Sequence, residues 1–396
     1  MVAAQTYSAP QVRPRACCGA GFDVRSSWDD GPDCLAVAPS DASSEPIRVA
    51  VVGLGIGRMH VLSYKELRRS YRVVAVCDVD AERASEVAGW LRDVRAETDI
   101  EAVLGADDVD VVDLCTPPAQ HREQIERCLR AGKDVICEKP LVGSVREVDE
   151  VAAIAAETGG TVMPILQYRF GGGVQKLRHL VDADLAGRAY VANIDVAWRR
   201  GADYYAVPWR GRWDTELGGV LLSHAVHALD MALFILGPPA GVWARTATLV
   251  NDIEVEDSAA VTLRFRSGAL ATLSATLGSV AEISRHRFTF EHLSAESGTE
   301  PYTNSADPWD ITVADPDHQG RVDDALAELP AQGEDYIGQL ERYALTRVAG
   351  DPPPVTLADA RTLLEVVTAM YVSSREDREV ALPLGPDDPA LEGWQP

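Results

Sequence analysis

Ile47-Arg48-Val49-Ala50-Val51-Val52-Gly53-Leu54-Gly55-Ile56-Gly57 is the stretch on which the reading of the chain turns. Its first six residues are apolar except for Arg48, and glycine closes the run. A short apolar run ending in glycine reads as a strand buried on both faces, as in a parallel sheet. Glycine at positions 53 and 55 permits a tight turn and lets a pyrophosphate approach backbone N–H groups at the start of the next helix. Met59 to Tyr64 supplies that helix. A bare glycine pair is a weak signal, but here the strand–turn–helix setting agrees with it.

Working outward, strands are expected at 72–78, 109–115, 134–137 and 161–166, and helices at 81–90, 121–131 and 144–158. Strands alternating with helices predict an α/β, Rossmann-type doubly wound parallel sheet. After about residue 168 the pattern changes. Gly218 to Gly237 reads as one long, mostly apolar helix, and longer alternating strands fall at 188–199, 241–250, 257–266, 269–278 and 285–292. Turns such as Ser267-Gly268 favour hairpins, so this half is expected to be α+β with a large, open, mostly antiparallel sheet. Residues 298–332 read as irregular and acidic, followed by helices at 334–349 and 357–376 and a last strand near 379–382. The expected organisation is a disordered N-terminal extension at 1–46, a nucleotide-binding domain at 47–167 and a substrate-binding and oligomerisation domain at 168–396.

Composition limits the partners. A chain of 396 residues is long for one core, which favours two domains. The net charge of −24 argues against nucleic acid and anionic membrane surfaces. No apolar stretch approaches the ~20 residues needed to span a bilayer. Seven cysteines, at 17, 18, 34, 77, 115, 128 and 137, fit neither a disulfide scaffold nor paired metal knuckles, so a reducing cytoplasm is expected.

Several groups of residues carry chemistry. Asp78 ends the second strand where a ribose-binding carboxylate belongs. It would accept hydrogen bonds from the ribose hydroxyls and repel a 2′-phosphate, favouring NAD over NADP, although Arg83 nearby could offset that preference. Thr116-Pro117-Pro118 ends another strand and could line the nicotinamide side. Glu138-Lys139-Pro140 follows the strand Asp134 to Cys137, so Lys139 lies at a carboxyl end, where open parallel sheets bind ligands. Proline disfavours a helical residue before it, which holds Lys139 extended as a donor to a substrate oxygen. Finally, Ser223, His224, His227 and Asp230 share one stripe if Gly218–Gly237 is a continuous helix. His227 as a proton acceptor, a His-x-x-His-x-x-Asp metal site, and simply buried histidines all compete there, with no further ligand cluster to favour a metal. Tyr168, Arg169, Trp198, Arg199, Trp209, Arg210 and Trp213 suit a polyhydroxylated ring or packing at a domain junction or subunit interface.

The chain resembles the glucose–fructose oxidoreductase / inositol dehydrogenase / rhizopine catabolism (Gfo/Idh/MocA) family. The matching features are Gly53-x-Gly55 with His60, Thr116-Pro117-Pro118 with His121, Glu138-Lys139-Pro140 and Tyr168-Arg169-Phe170. They continue with Gly218-Gly219 to His227-x-x-Asp230 and the closing Ser373-Ser374-Arg375 to Leu382-Pro383-Leu384. The resemblance covers about residues 47–385. It implies an NAD(P)-dependent dehydrogenase or reductase for a hydroxyl or ketone on a sugar, sugar derivative or cyclitol, paired as dimers or tetramers through its large sheet. Lys139 and His227 are the implied catalytic pair. The expected cofactor residues are Gly53, Gly55, Ile56, Gly57, Asp78, Arg83, Thr116, Pro117, His121, Glu138 and Lys139. The expected substrate residues are Tyr168, Arg169, Trp198, Arg210, Trp213, Ser223, His224 and Asp230. Two departures stand out: the glycine turn is one residue shorter before its histidine, and Ser223 replaces a common aspartate four residues before the catalytic histidine. Tightly held NAD used for transient oxidation in epimerisation, elimination or glycoside cleavage, and a non-catalytic nucleotide sensor, are the alternatives.

Overall fold

In a computed structural model, residues 45–395 are described. The expectation for residues 1–46 therefore lies almost wholly outside the described residues. Two sheets dominate. The first is built from β1 (Ile47–Val52), β2 (Tyr71–Cys77), β3 (Arg95–Glu97), β4 (Val111–Leu114), β5 (Asp134–Cys137) and β6 (Val162–Pro164). Its order is β3-β2-β1-β4-β5-β6 and every pairing is parallel. Helices cover its faces, which is why Val49, Ala50, Val51, Val111, Val112, Val135 and Ile136 have no exposed surface. Only the edge strand β3 is polar and exposed, and its three residues give too little apolar pattern to be read beforehand.

Strand order reverses between β1 and β4, and the crevice beyond their carboxyl ends is the ligand position of such sheets. Gly53, Thr116 and Lys139 all leave the sheet at that end.

The second sheet contains β7 (Ala189–Arg199), β8 (Pro239–Ala247), β9 (Ser258–Phe265), β10 (Leu270–Thr276), β11 (Gly278–Phe290), β12 (Leu293–Glu296), β13 (Asp310–Val313) and β14 (Val380–Ala381). Its order is β13-β12-β11-β7-β10-β9-β8-β14, antiparallel apart from the β7–β10 pair. Gly268 takes φ +91° at the tight β9–β10 turn, as the hairpin signal required. The helix Leu357–Glu376 opens with a capping box between Thr356 and Asp359 and lies against β8 and the helix Val145–Thr158. The helix Asp335–Ala349 returns to the first sheet: Tyr71 donates its hydroxyl to the Leu340 carbonyl at 2.7 Å, and Gln339 donates to the Pro164 carbonyl at 2.7 Å.

Two expectations need correction. Residues 298–332 are not irregular throughout. They hold β13 and the helix Pro316–Ala327, whose start carries an Asp315 cap and a proline in the first turn. Nor is Gly218–Gly237 one helix. It is a four-residue turn, Val220–Ser223, and a helix, Val226–Leu236, separated at His224 with φ −123°. Ala225 N–H reaches back five residues to the Val220 carbonyl, so the helical ladder does not run through. Apolar composition continues across the break, so periodicity could not reveal it.

Candidate active site

The crevice begins with a close backbone approach. Gly53 adopts φ +89°, and a Cβ there would lie 2.6 Å from the Cys115 carbonyl oxygen. Any side chain would force β1 and β4 apart, so glycine is required. A Cβ on Gly55 would meet nothing within 4 Å, which leaves open space above the turn. Asp78 is fixed beside it, accepting from Leu54 N–H at 2.8 Å and Asp80 N–H at 3.0 Å. Burial opposes its charge, but those N–H groups and the Arg83 guanidinium outweigh burial and hold the carboxyl below its usual range. Arg83 is itself engaged with Asp78 and Asp80.

His121 lies deeper than a cofactor ligand would. The ring is fully buried, with its nitrogens 2.9 Å from the carbonyl oxygens of Pro140 and Thr116. It ties the loop after β4 to the loop after β5. Thr116 donates its hydroxyl to the Gln124 side-chain oxygen at 2.6 Å.

Glu138 faces inward. Its Oε1 accepts from the Tyr336 hydroxyl at 2.8 Å and lies 3.2 Å from His60 Nε2, while Oε2 accepts the Lys139 N–H at 2.9 Å. His60 Nδ1 meets Asp113 at 2.8 Å, and Tyr64 donates to the same carboxylate at 2.8 Å. Burial disfavours a charged imidazole, yet Asp113 and its neighbours outweigh that and raise His60 well above its ordinary value. His60 therefore bridges the Glu138 and Asp113 side chains. Burial likewise opposes charge on Glu138, but the His60 bond and charge bring it down to about 2. Asp113 and Tyr336 were missed from sequence. The signal was available for Asp113, since a carboxylate inside a buried strand requires a partner.

Lys139 points the other way. The Lys139–Pro140 peptide is cis, and Nζ donates to the Ser223 carbonyl at 2.7 Å. That carbonyl ends the short turn at the helix break. Burial lowers the amine's pKa, countered in part by Glu138. His227, near the start of the helix Val226–Leu236, stacks on Tyr168 with ring centroids 4.5 Å apart. Its Nδ1 is buried with no hydrogen-bond partner. Burial first, and then the Lys139 charge, push His227 down to about 3. The ring is thus a neutral base beside a cation.

His224 Nδ1 is buried and unpartnered too. Its ring packs edge-on against Trp198 at 5.4 Å and beside Tyr204 at 5.6 Å. Trp198 donates its indole N–H to Ser284 at 2.8 Å. Arg200, missed from sequence, stacks on Trp198 and Tyr204 at 5.1 and 5.3 Å. Arg210 lies over Tyr204 at 3.8 Å and Trp209 at 4.4 Å.

Three expected substrate residues are placed otherwise. Arg169 makes a fork to Asp230 at 2.8 and 2.6 Å and bonds Asp359 at 2.9 Å. Both side chains of the fork are buried, so each neutralises the other instead of facing a ligand. Trp213 donates its indole N–H to the Glu254 carbonyl at 3.0 Å and packs against Tyr371. With Asp230 taken and the helix broken at His224, the His-x-x-His-x-x-Asp metal reading loses its geometry. The cluster with metal-ligand spacing among the described residues is His60, Asp113 and Cys115, already joined to one another.

Comparison with known proteins agrees with this architecture. Residues 47–166 match the family model described as an oxidoreductase family with an NAD-binding Rossmann fold, and residues 174–291 match the GFO/IDH/MocA C-terminal domain. The chain belongs to the Gfo/Idh/MocA oxidoreductase family. Among Gfo/Idh/MocA relatives, myo-inositol 2-dehydrogenase of Thermotoga maritima is 26% identical over 347 residues, covering 85% of this chain and 98% of its own. D-glucoside 3-dehydrogenase of Escherichia coli is 28% identical over 371 residues, covering 87% of this chain and 99% of its own. The crystal structure of the WlbA dehydrogenase of Bordetella pertussis with NADH and UDP-GlcNAcA superposes with a TM-score of 0.75 at 24% identity. It covers 86% of this chain and all of its own, and shows the shared fold.

The Gfo/Idh/MocA chain binds NAD, and its residues fit that cofactor: a Gly53 that no side chain could replace, open space over Gly55, and a fixed carboxylate at the end of β2. No helix among the described residues is long and apolar enough to cross a membrane. Cys77, Cys115, Cys128 and Cys137 are buried free thiols.

Proposed function

We propose that this protein is an NAD-dependent dehydrogenase interconverting a hydroxyl and a ketone on a sugar, sugar derivative or cyclitol. The observation that carries the reading is the meeting of Lys139, from the end of β5, with the helix break that presents His227. The amine bonds the Ser223 carbonyl at 2.7 Å, and His227 feels its charge. The names of the inositol and glucoside dehydrogenases point to the same substrate class.

In oxidation, bound NAD supplies the hydride acceptor. His227, neutral and with Nδ1 unpartnered, takes the hydroxyl proton as the carbon–hydrogen bond is broken. Lys139, as a cation, stabilises the negative charge growing on the substrate oxygen. Tyr168 holds the imidazole plane by stacking. His224, Trp198 and Arg210 line the polar and aromatic side of the substrate position. Reduction runs along the same path, with His227 returning the proton. Residues 47–167 form the nucleotide domain and 168–396 the substrate domain in this reading, in a cytoplasmic enzyme. Trp243, Val191 and Leu270 are exposed on strands of the second sheet, and we assign pairing of subunits to that sheet.

The test is Lys139→Ala and His227→Ala, each assayed with a sugar and cyclitol panel and with NAD titrated separately. Turnover should fall at least about a hundredfold in each, with NAD affinity little changed. Full activity in both variants would overturn the assignment.

A further inference from the structure

We propose that Glu216 is a positioning residue of this reaction, its carboxylate acting through Ser223 to keep the Lys139 amine charged and in place. The inference rests on the role given above to Lys139. Ser223 is the joint between the two groups. Its carbonyl accepts from Lys139 Nζ at 2.7 Å, and its hydroxyl donates to Glu216 Oε1 at 2.9 Å. The other carboxylate oxygen accepts the Gly211 N–H at 2.5 Å, and Arg210 lies 3.7 Å from Oε1. Glu216 is only 3% exposed. Burial pushes the Glu216 pKa up, and the Gly211 N–H, the Ser223 hydroxyl and the charges of Arg210 and Lys139 work against that rise.

The backbone around Glu216 is bent to deliver it. Leu217, the next residue, takes φ +69°, which is rare and strained for a bulky side chain. Its carbonyl is held by the Trp394 indole N–H at 2.6 Å. Gly211 takes φ +74°, and a Cβ there would strike Ile253 at 2.8 Å. The segment is therefore constrained on both sides of the carboxylate.

Glu216 is the second carboxylate acting on Lys139, after Glu138. Glu138, its neighbour in sequence, has its oxygens bonded to Tyr336, His60 and the Lys139 backbone. The ionisable groups acting on the amine or acted on by it are Glu138, Glu216, Arg210, His224 and His227. Burial and Arg210 favour loss of the proton, while Glu138 and Glu216 favour keeping it. Removing the Glu216 charge must then lower the pH at which Lys139 becomes neutral. The same arrangement accounts for a serine at position 223: the negative charge absent from that side chain arrives from seven residues upstream.

The experiment compares the parent with Glu216→Gln, Ser223→Ala and the double variant Glu216→Gln/Ser223→Asp. The protonation of Lys139 is read in the cofactor-free protein by pH-dependent amine labelling and mass spectrometry, and kcat is read against pH. Glu216→Gln should move the Lys139 titration down by about one unit and lower kcat about tenfold near the alkaline limb. The double variant returns a carboxylate to within reach of the same site and should restore both readouts. A residue that only braced the loop would not be rescued by charge at 223. An unshifted titration in Glu216→Gln, or a double variant no better than the single one, overturns the proposal. If Glu216→Gln does not fold, Ser223→Ala cuts the tether alone, and a titration identical to the parent refutes it. Loss of any role for Lys139 in turnover would refute the enzyme mechanism while the labelling result still reports on Glu216.

Discussion

Replacing Arg169 by Met separates a structural role from a substrate-binding one. The fork from Arg169 to Asp230 joins side chains that are 8% and 1% exposed, with a further bond to Asp359 at 2.9 Å. Removing one member of a buried ion pair costs about 3–5 kcal/mol, because the other charge is left without water or a partner. Asp359 contributes little to that cost. It keeps the Thr356 N–H at 2.8 Å and the Thr356 hydroxyl at 2.6 Å, and it reaches solvent. Asp230 carries the loss. Burial already raises its pKa, so without the guanidinium it takes up a proton, which holds the expected cost near about 3 kcal/mol. Urea unfolding of Arg169→Met should show this loss, and Arg169→Met/Asp230→Leu should recover most of it by removing both charges. KM for the sugar should change little in whatever folded enzyme remains. A variant as stable as the parent but with a sharply raised KM would refute the reasoning and return Arg169 to the substrate.

Two further outcomes are expected. Gly53→Ala should weaken NAD binding at least tenfold, measured by cofactor fluorescence, because the new methyl meets the Cys115 carbonyl at 2.6 Å in a backbone conformation that alanine resists; unchanged affinity would show that the turn does not meet the pyrophosphate. The rate of oxidation should stay level through about pH 5 to 7, where an ordinary histidine titrates, because His227 is pushed down to about 3 and is a free base throughout. It should then fall at higher pH as Lys139, held below the ordinary lysine value, loses its proton. An acid limb near the usual histidine value would contradict the burial of His227.

Much of the first sheet was legible because its signals are local. The Val49–Val52 run, the Gly53 turn and the strand before Lys139 each show their burial in consecutive residues. The second sheet was legible in outline for the same reason, since β9 and β10 alternate inward and outward residues. The site was harder. Tyr336 meets Glu138 across 198 residues of sequence, and Asp359 meets Arg169 across 190. Nothing in a local pattern announces such a partner. Trp213 and Arg169 have the composition of a sugar pocket, but composition carries no direction. The break at His224 was hidden because apolar residues continue through it, and so was the partner of the turn before it: Glu256 accepts the Gly219 and Leu221 N–H groups at 3.0 Å each.

From sequence alone came the nucleotide-binding sheet, the position of Lys139 at its carboxyl edge, and the candidacy of His227. Those follow from periodicity, glycine geometry and the few conformations open to a residue before proline, all of which act over a handful of neighbouring residues. Tertiary structure decided which charges meet. It turned Glu138 inward to His60, spent Arg169 on Asp230, and carried Glu216 to the hydroxyl of Ser223. A buried charge is settled by whatever group packing brings within a few ångströms, and in a chain of this length that group is seldom a neighbour in sequence.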